Sequence, residues 1–301
     1  ITKNLFLNSK KTKFRIIKKQ KLRNFNHSSE ILKLLKTKDY ENLGLVPTMG
    51  SLHEGHLKLI KKCSLNCDKT IVSIFVNPTQ FNNKIDFANY PQSIRKDIET
   101  IRKTNPNAII YAPSESDLYT SPAKAEIFDL DGIDKLIEGK HRKGHFQGVA
   151  TIVKRLFERF SPDYAFFGEK DYQQILVIKK LIKKYKLKVK IETIPTVREK
   201  NGLAMSSRNI LLDKKSRFDA KIIYESLCIV KRMIKTSSFD KIKDFINKLF
   251  LVNEQFNLEY FCIAESCSLK EAESFNPKIK IRAFICVKVQ GIRLIDNIAL
   301  N

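Results

Sequence analysis

No run of this chain is apolar over the ~18–20 residues that cross a bilayer, so no membrane span is expected. The six cysteines, Cys63, Cys67, Cys228, Cys262, Cys267 and Cys286, include no C-x-x-C pair, and no histidine lies near the last four. That spacing argues against a zinc site, and a disulfide framework is not expected in a chain this long. Reduced, mostly buried thiols in a cytoplasmic protein are the expectation. Acidic residues are also scarce, with 32 Asp and Glu against 56 Lys and Arg and a formal charge of +24. The excess favours anionic partners such as nucleotides, nucleic acid or acidic membrane surfaces. The lysines are spread along the chain rather than gathered in a tail, which puts compositional drift in an AT-biased background ahead of nucleic-acid binding. No internal repeat is present. The 301 residues suit one large domain or two ordinary ones, and 43% hydrophobic content is enough for a core.

The stretch Pro47-Thr48-Met49-Gly50-Ser51-Leu52-His53-Glu54-Gly55-His56 organises the rest. Gly44, Leu45 and Val46 lead into Pro47, Gly50 permits a tight turn, and Leu52, Leu57 and Ile60 recur at roughly helical spacing. The pattern predicts strand, turn and helix, which places backbone N–H groups and a helix N-terminus at the carboxyl end of a strand, ready for an anion. His53 and His56 are three apart and can face one ligand. An ordinary β–α connection with two surface histidines is the plainer alternative.

Downstream, Lys69–Val76 is a β-branched run expected as a parallel strand covered on both faces. It ends at Asn77-Pro78-Thr79-Gln80, where ligands bind in open α/β sheets; turn chemistry alone would explain Asn77 but not Gln80. Ser28 or Ser29 is expected to cap a helix through Lys38 that buries Ile31, Leu32, Leu34 and Leu35. A helix is expected from about Gln92 to Thr104, and a strand at Ala108–Pro113. Gly139, Gly144 and Gly148 bracket Lys140, His141, Arg142, Lys143 and His145, a basic and flexible segment that can close over phosphates. Asp163–Gln174 repeats the strand, Gly168 turn and helix logic, with Lys170 placed to meet phosphates and Asp171 either pairing with it or capping the helix. Val197–Gly202 reads as a linker or turn. Ser206-Ser207-Arg208 then offers short donors and a planar cation. From about Asp213 helices dominate to Leu251, followed by strands near Leu258–Ala264, Ile281–Val289 and Ile292–Asn297. Alternating strands and helices argue for an α/β fold, a Rossmann-like parallel sheet with helices on both faces, plus a smaller α+β C-terminal domain.

Taken together, PTMGxLHEGH, VNPTQF, EGKHRxGHFxGV, FFGEKDYQQ and GLAMSSRN, in this order from about Phe14 to Ala299, resemble the pantothenate synthetase (pantoate–β-alanine ligase) family of the HxGH nucleotidylyltransferase superfamily. The resemblance implies an ATP-dependent condensation of pantoate with β-alanine through an enzyme-bound pantoyl adenylate, with AMP and pyrophosphate released. It implies an ATP site lined by Pro47, Thr48, Met49, Gly50, Ser51, Leu52, His53, Glu54, Gly55, His56, Gly168, Glu169, Lys170, Asp171, Val197, Met205, Ser206, Ser207 and Arg208. His56, His53, Lys170 and Arg208 would act on the phosphates, and the histidines are read as stabilisers of phosphate charge. Gln80 and Gln174, with Asn77, Arg142 and His145, would hold pantoate and β-alanine. Mg²⁺ is expected with ATP, with no tightly bound protein-ligated metal, and Asp86 is the nearest match to an acidic position associated with it.

The resemblance further implies a homodimer, with a domain at 14–196 that binds nucleotide and pantoate and a C-terminal lid domain at 197–301; the position of Val197–Gly202 suggests the hinge, and the basic, Asn-rich segment at 1–13 is expected to be poorly ordered. No specific nucleic-acid partner is expected. A nucleic-acid-binding relative of the class I tRNA synthetases, which share HxGH, is the alternative motivated by the charge, but no anticodon-binding module is recognisable. The chain departs from the family pattern at Ile85, where Glu is common, at Gln92, where Arg is common, and at Ser51, where an apolar residue or Ala is usual.

Overall fold

The computed structural model describes residues 24–37, 39–119 and 122–301. The expected tail lies outside them. A six-stranded sheet is built from β1 (Asn24–Phe25), β2 (Leu43–Thr48), β3 (Lys69–Ile74), β4 (Ile109–Tyr111), β5 (Tyr164–Gly168) and β6 (Lys190–Ile194). Every pairing is parallel, in the order β1-β4-β3-β2-β5-β6.

Continuous apolar runs form these strands because both faces are covered. On one face Leu43, Leu45, Ile71, Ile109, Tyr111, Ala165 and Phe167 pack under the helices Ser28–Leu35, His145–Phe160 and Tyr172–Lys184. On the other, Val46, Val72, Ile74, Ile110 and Phe166 pack under Glu54–Asn66 and Ile94–Thr104. The alternation of neighbouring residues between the two clusters is the period-two geometry of a strand.

The chain runs outward from β2 through β3 and β4, then returns to the other side of β2 with β5 and β6. The order therefore reverses between β2 and β5, which is where open α/β sheets bind ligands. β2 and β5 are in register only at Gly44–Tyr164 and Leu45–Ala165, whereas β2 and β3 pair through to Thr48–Ile74. The ladder between β2 and β5 thus stops short of their carboxyl ends, and a crevice opens there.

The remainder forms an antiparallel sheet of β7 (Phe256–Glu265), β8 (Ile281–Val289) and β9 (Ile292–Ala299), in that order. The helices Ile222–Met233 and Phe239–Leu251 cover it through Ile223, Leu227, Val230, Ile242 and Ile246. A further cluster joins the two sheets, with Phe128, Leu130, Phe146, Val177 and Leu181 meeting Ala264, Leu269 and Phe284.

Several local expectations need correcting. The first helix spans Ser28–Leu35, short of Lys38; its N-cap position is His27, which makes no side-chain cap, rather than a serine, and Leu32 is exposed because it falls on the solvent side of a turn that buries Ile31 and Leu35. The basic segment runs straight into a helix that begins at His145, and the helix expected from Gln92 begins at Ile94. Gly139 and Gly148 do not confer flexibility. A Cβ on Gly139 would lie 1.9 Å from the Asp134 carbonyl oxygen, and one on Gly148 would lie 2.2 Å from that of Thr79. They are places where backbone meets backbone. Val197–Gly202 is a tight antiparallel turn, with Arg198 bridged to Ala204 and Met205 N–H donating to the Val197 carbonyl.

Candidate active site

The cleft at the switch point is lined by Met49, His53 and His56 from the loop after β2 and by Asn77 and Gln80 after β3. Arg142 and His145, Lys170 and Gln174 after β5, and Ser206 to Arg208 from the C-terminal part complete it. Sequence stretches more than a hundred residues apart therefore share one cavity, and Val197 and Met205 also line it.

The loop after β2 is held from below. Gly50 and Ser51 both take positive φ, +82° and +49°. The backbone N–H groups of Ser51 and Leu52 donate to the two carboxylate oxygens of Asp97 at 2.9 and 2.8 Å. Asp97 is 3% exposed and belongs to the helix Ile94–Thr104. Thr48 Oγ1 donates to the Ser73 carbonyl at 2.7 Å, tying the loop to β3. From the far side, Ser207 Oγ donates to the Ser51 carbonyl at 2.9 Å.

His53 is the N-cap of the helix Glu54–Asn66. Its Nδ1 accepts from Gly55 N–H at 3.2 Å, and His56 Nδ1 accepts from His53 N–H at 3.2 Å, so the pair forms a capping box. With both Nδ1 atoms used as acceptors, each neutral ring carries its proton on Nε2. The ring centroids are 4.1 Å apart. Burial, then the neighbouring His56, pushes His53 down to about 2, and burial pushes His56 down to about 4. Both are neutral N–H donors at physiological pH.

Lys170 sits in the short turn Glu169–Asp171 that follows β5. Asp171 pairs with it at 3.4 Å and makes no side-chain cap to the following helix. Arg208 presents Nε and Nη2 to the two oxygens of Asp86, at 3.2 and 3.0 Å, above the Tyr90 ring. Asp86 is therefore a counter-ion of Arg208. The described residues contain no group of three His, Cys, Asp or Glu able to hold a metal. With its carboxylate committed, Asp86 does not fit the ligand position expected of it.

The third wall is a buried polar network. Asn77 Nδ2 donates to Gln80 Oε1 at 3.2 Å and to the Gly148 carbonyl at 3.1 Å, and its Oδ1 accepts from Tyr119 at 2.6 Å. Gln80 Nε2 donates to Met49 Sδ at 2.8 Å, a weak acceptor at the cleft wall. Arg142 Nη1 meets His145 Nε2 at 3.1 Å, and His145 Nδ1 lies 2.7 Å from the Gln80 carbonyl. A guanidinium only donates, so His145 accepts at Nε2 and donates from Nδ1. Burial, then Arg142, pushes His145 down to about 3. Gln174 lines the cleft and its amide has no hydrogen-bond partner among the described residues.

Asp97, Tyr119, Glu138, Arg293 and Asn297 were not anticipated. Glu138 is 6% exposed and takes both Arg293 Nη1 and Nη2, at 2.5 and 2.9 Å, with Arg142 3.5 Å away. Burial alone would raise its pKa, but Arg293 and Arg142 hold the carboxyl at about 2. Each of these residues acts across more than forty positions of sequence or from a strand of ordinary alternation, so no local spacing announces it.

A neutral imidazole pair at a helix N-terminus, two cations and convergent amides at one crevice suit phosphate chemistry on an acid substrate. Comparison with known proteins agrees. The family profile described as pantoate-beta-alanine ligase matches residues 20–299. The chain is 45% identical over 279 residues to the pantothenate synthetase of Flavobacterium psychrophilum, covering 92% of this chain and 99% of that protein. It is 46% identical over 263 residues to that of Christiangramia forsetii, covering 87% and 93%. The crystal structure of pantothenate synthetase from Thermus thermophilus superposes with a TM-score of 0.85 at 31% identity, covering 92% of this chain and 99% of that one. A Francisella tularensis pantoate-beta-alanine ligase, solved with beta-gamma ATP and beta-alanine, gives a TM-score of 0.75 at 32% identity, covering 93% and 98%. The switch-point cleft, its paired histidines and this near full-length likeness have one reading: the chain belongs to the pantoate–β-alanine ligase family.

Proposed function

We propose that this single cleft performs both halves of the family's reaction and that its three walls divide the work. The enzyme condenses pantoate with β-alanine at the expense of ATP. The pantoate carboxylate attacks the α-phosphorus, the bond to the bridging oxygen breaks, and pyrophosphate leaves. The β-alanine amine then attacks the acyl carbon of pantoyl adenylate, giving pantothenate and AMP. Phosphoryl transfer of this kind asks for positioning and charge stabilisation rather than a protein nucleophile.

The observation that carries the division is the tautomer shared by His53 and His56. Neutral rings with Nε2–H donors stabilise the charge that grows on the departing pyrophosphate without first losing a proton. Lys170 and Arg208, both lining the cleft, supply positive charge. Gln80 and the partnerless Gln174 amide are suited to the carboxylate and hydroxyls of pantoate, with Arg142 behind them. The Francisella complex with beta-gamma ATP and beta-alanine supports both molecules as ligands of the same fold.

Mg²⁺ would enter on the triphosphate, since it keeps several waters and needs no protein cage. Its chemistry is to neutralise phosphate charge. Residues 14–196 and 197–301 are read as the two domains, a homodimer as the assembly and the cytoplasm as the compartment. The separate cores of the two sheets support the first, and the six free cysteines support the last. Sedimentation of the full chain tests the assembly. The function is tested by ATP–pyrophosphate exchange, expected only with pantoate and Mg²⁺ present, with pantothenate formed only on adding β-alanine. Exchange that ignores pantoate would overturn it.

A further inference from the structure

Strand β9 belongs to the C-terminal sheet, yet three of its residues hold parts of the cleft that the parallel sheet builds. Arg293 binds Glu138 beneath Arg142. Asp296 takes Arg198 Nη1 and Nη2 at 2.6 and 3.0 Å, fixing the turn after β6. Asn297, 4% exposed, reaches the turn that carries Lys170.

Asn297 Nδ2 donates to the Glu169 carbonyl at 3.0 Å and to the Lys170 carbonyl at 2.9 Å. Its Oδ1 accepts from Arg282, and its backbone N–H goes to Asp296 Oδ1 at 2.8 Å. Arg282 in turn lies over the Tyr172 ring, 4.0 Å from its centroid, at the start of the helix that follows the turn. Both amide hydrogens of Asn297 are thus spent on successive carbonyls of a three-residue 3₁₀ turn. Such turns have weak internal hydrogen bonds and take their exact shape from what is packed against them.

The direction of the Lys170 side chain depends on that shape. We propose that Asn297 is a positioning residue for the adenylation step: it fixes the Glu169–Lys170 backbone so that the ammonium points at the departing pyrophosphate, and it does so from the C-terminal unit. The inference rests on the adenylation chemistry above. It assigns no contact between Asn297 and substrate.

Adenylation needs Lys170 in place, whereas attack of β-alanine on the acyl carbon does not move phosphate charge towards it. The two half-reactions therefore separate a positioning role from a general structural one. The test is the isosteric Asn297→Asp in the full chain, which replaces the two donor hydrogens by an acceptor facing two carbonyls. Pantoate-dependent ATP–pyrophosphate exchange is expected to fall by ~10²-fold in kcat, the scale of misplacing a reacting group by about 1 Å. KM for pantoate should be unchanged, because Asn297 makes no hydrogen bond to Gln80 or Gln174. Adenylate allowed to accumulate without β-alanine should then react with β-alanine at the wild-type single-turnover rate.

Exchange at the wild-type rate would overturn the proposal. So would equal losses in both half-reactions with a lowered Tm, the mark of a merely structural residue. If Asn297→Asp does not fold, Asn297→Ser, which removes the donors without adding charge, is judged by the same outcomes. Wild-type enzyme that shows no pantoate-dependent exchange would instead remove the functional reading, and this inference with it.

Discussion

The loop 48–56 and strand β9 both shape the same cleft, and they do so through opposite kinds of contact. The loop offers its own side chains, His53 and His56 among them, to the cavity, and its residues lie within ten positions of one another. β9 holds other segments, through Glu138, Arg198 and the carbonyls of Glu169 and Lys170, from more than ninety residues away. A wall that touches ligand is written locally, because helix caps, tight turns and phosphate donors all need neighbours in sequence. A wall that braces another is written in pairs of distant residues whose types are individually unremarkable.

If the comparison is right, damage on the two sides should differ in kind. The largest effect is expected at the brace. Glu138→Ala removes the buried carboxylate shared by Arg142 and Arg293, leaving Arg293 with Glu259 alone and Arg142 with no acidic partner. It should cost about 3–5 kcal/mol of stability, the range for removing one partner of a buried pair. Chemical denaturation measures this, and a loss below about 1 kcal/mol, the surface-pair range, would mean that the pair does not brace the cleft. Next comes Lys170→Ala in the wall itself, with a ~10²-fold or greater loss in exchange rate and an unchanged Tm. A parallel drop in Tm would blur the distinction between walls.

Asp97→Asn probes an intermediate case, a brace close to the loop it serves. The amide can accept one N–H but not both without turning a donor on the other, so Ser51 or Leu52 loses its partner. Exchange should slow by about tenfold, the ~1–3 kcal/mol of an unsatisfied buried donor felt partly at the reacting groups. Full activity would show that backbone φ alone sets the loop. The smallest effect concerns pH. His53, His56 and His145 are held at about 2, 4 and 3, below their ordinary 6.5. The unfolded chain therefore binds more protons between pH 6.5 and 4. The stability these neutral rings contribute is complete above pH 6.5 and is lost as pH falls towards 4. Tm should decline from pH 7 to 5, while the exchange rate of the folded enzyme shows no histidine ionisation from pH 6 to 8. An inflection near 6.5 in that rate would mean that an imidazole titrates freely.

The parallel sheet was legible because buried parallel strands are continuous β-branched runs, as at Lys69–Ile74, and because Gly50 and Gly168 mark the turns that follow. The fold brings His53, His56, Gln80, Lys170, Gln174 and Arg208, each singled out by its local motif, to the lining of one cavity. An acidic residue beside a basic cleft, such as Asp86, suits either a metal cation or a guanidinium, and only the fold brings Arg208 onto it. The basic segment at 139–148 allows two readings in the same way. Glycine permits freedom and also permits contact, and spacing alone does not say which is used.

Gly148 carries the last consequence. The helix His145–Phe160 rests on the turn Pro78–Gln80 with no clearance, because a single added carbon would sit 2.2 Å from the Thr79 carbonyl oxygen and 2.6 Å from the Gln80 nitrogen. The spacing between His145 and Gln80 is therefore set by an atom that is missing as well as by the bond between them. In a chain whose surface has filled with lysine, this joint behaves as a machined fit. Composition can drift around it, but nothing larger than hydrogen can pass through it without pushing the wall that carries Gln80 and His145 out of line.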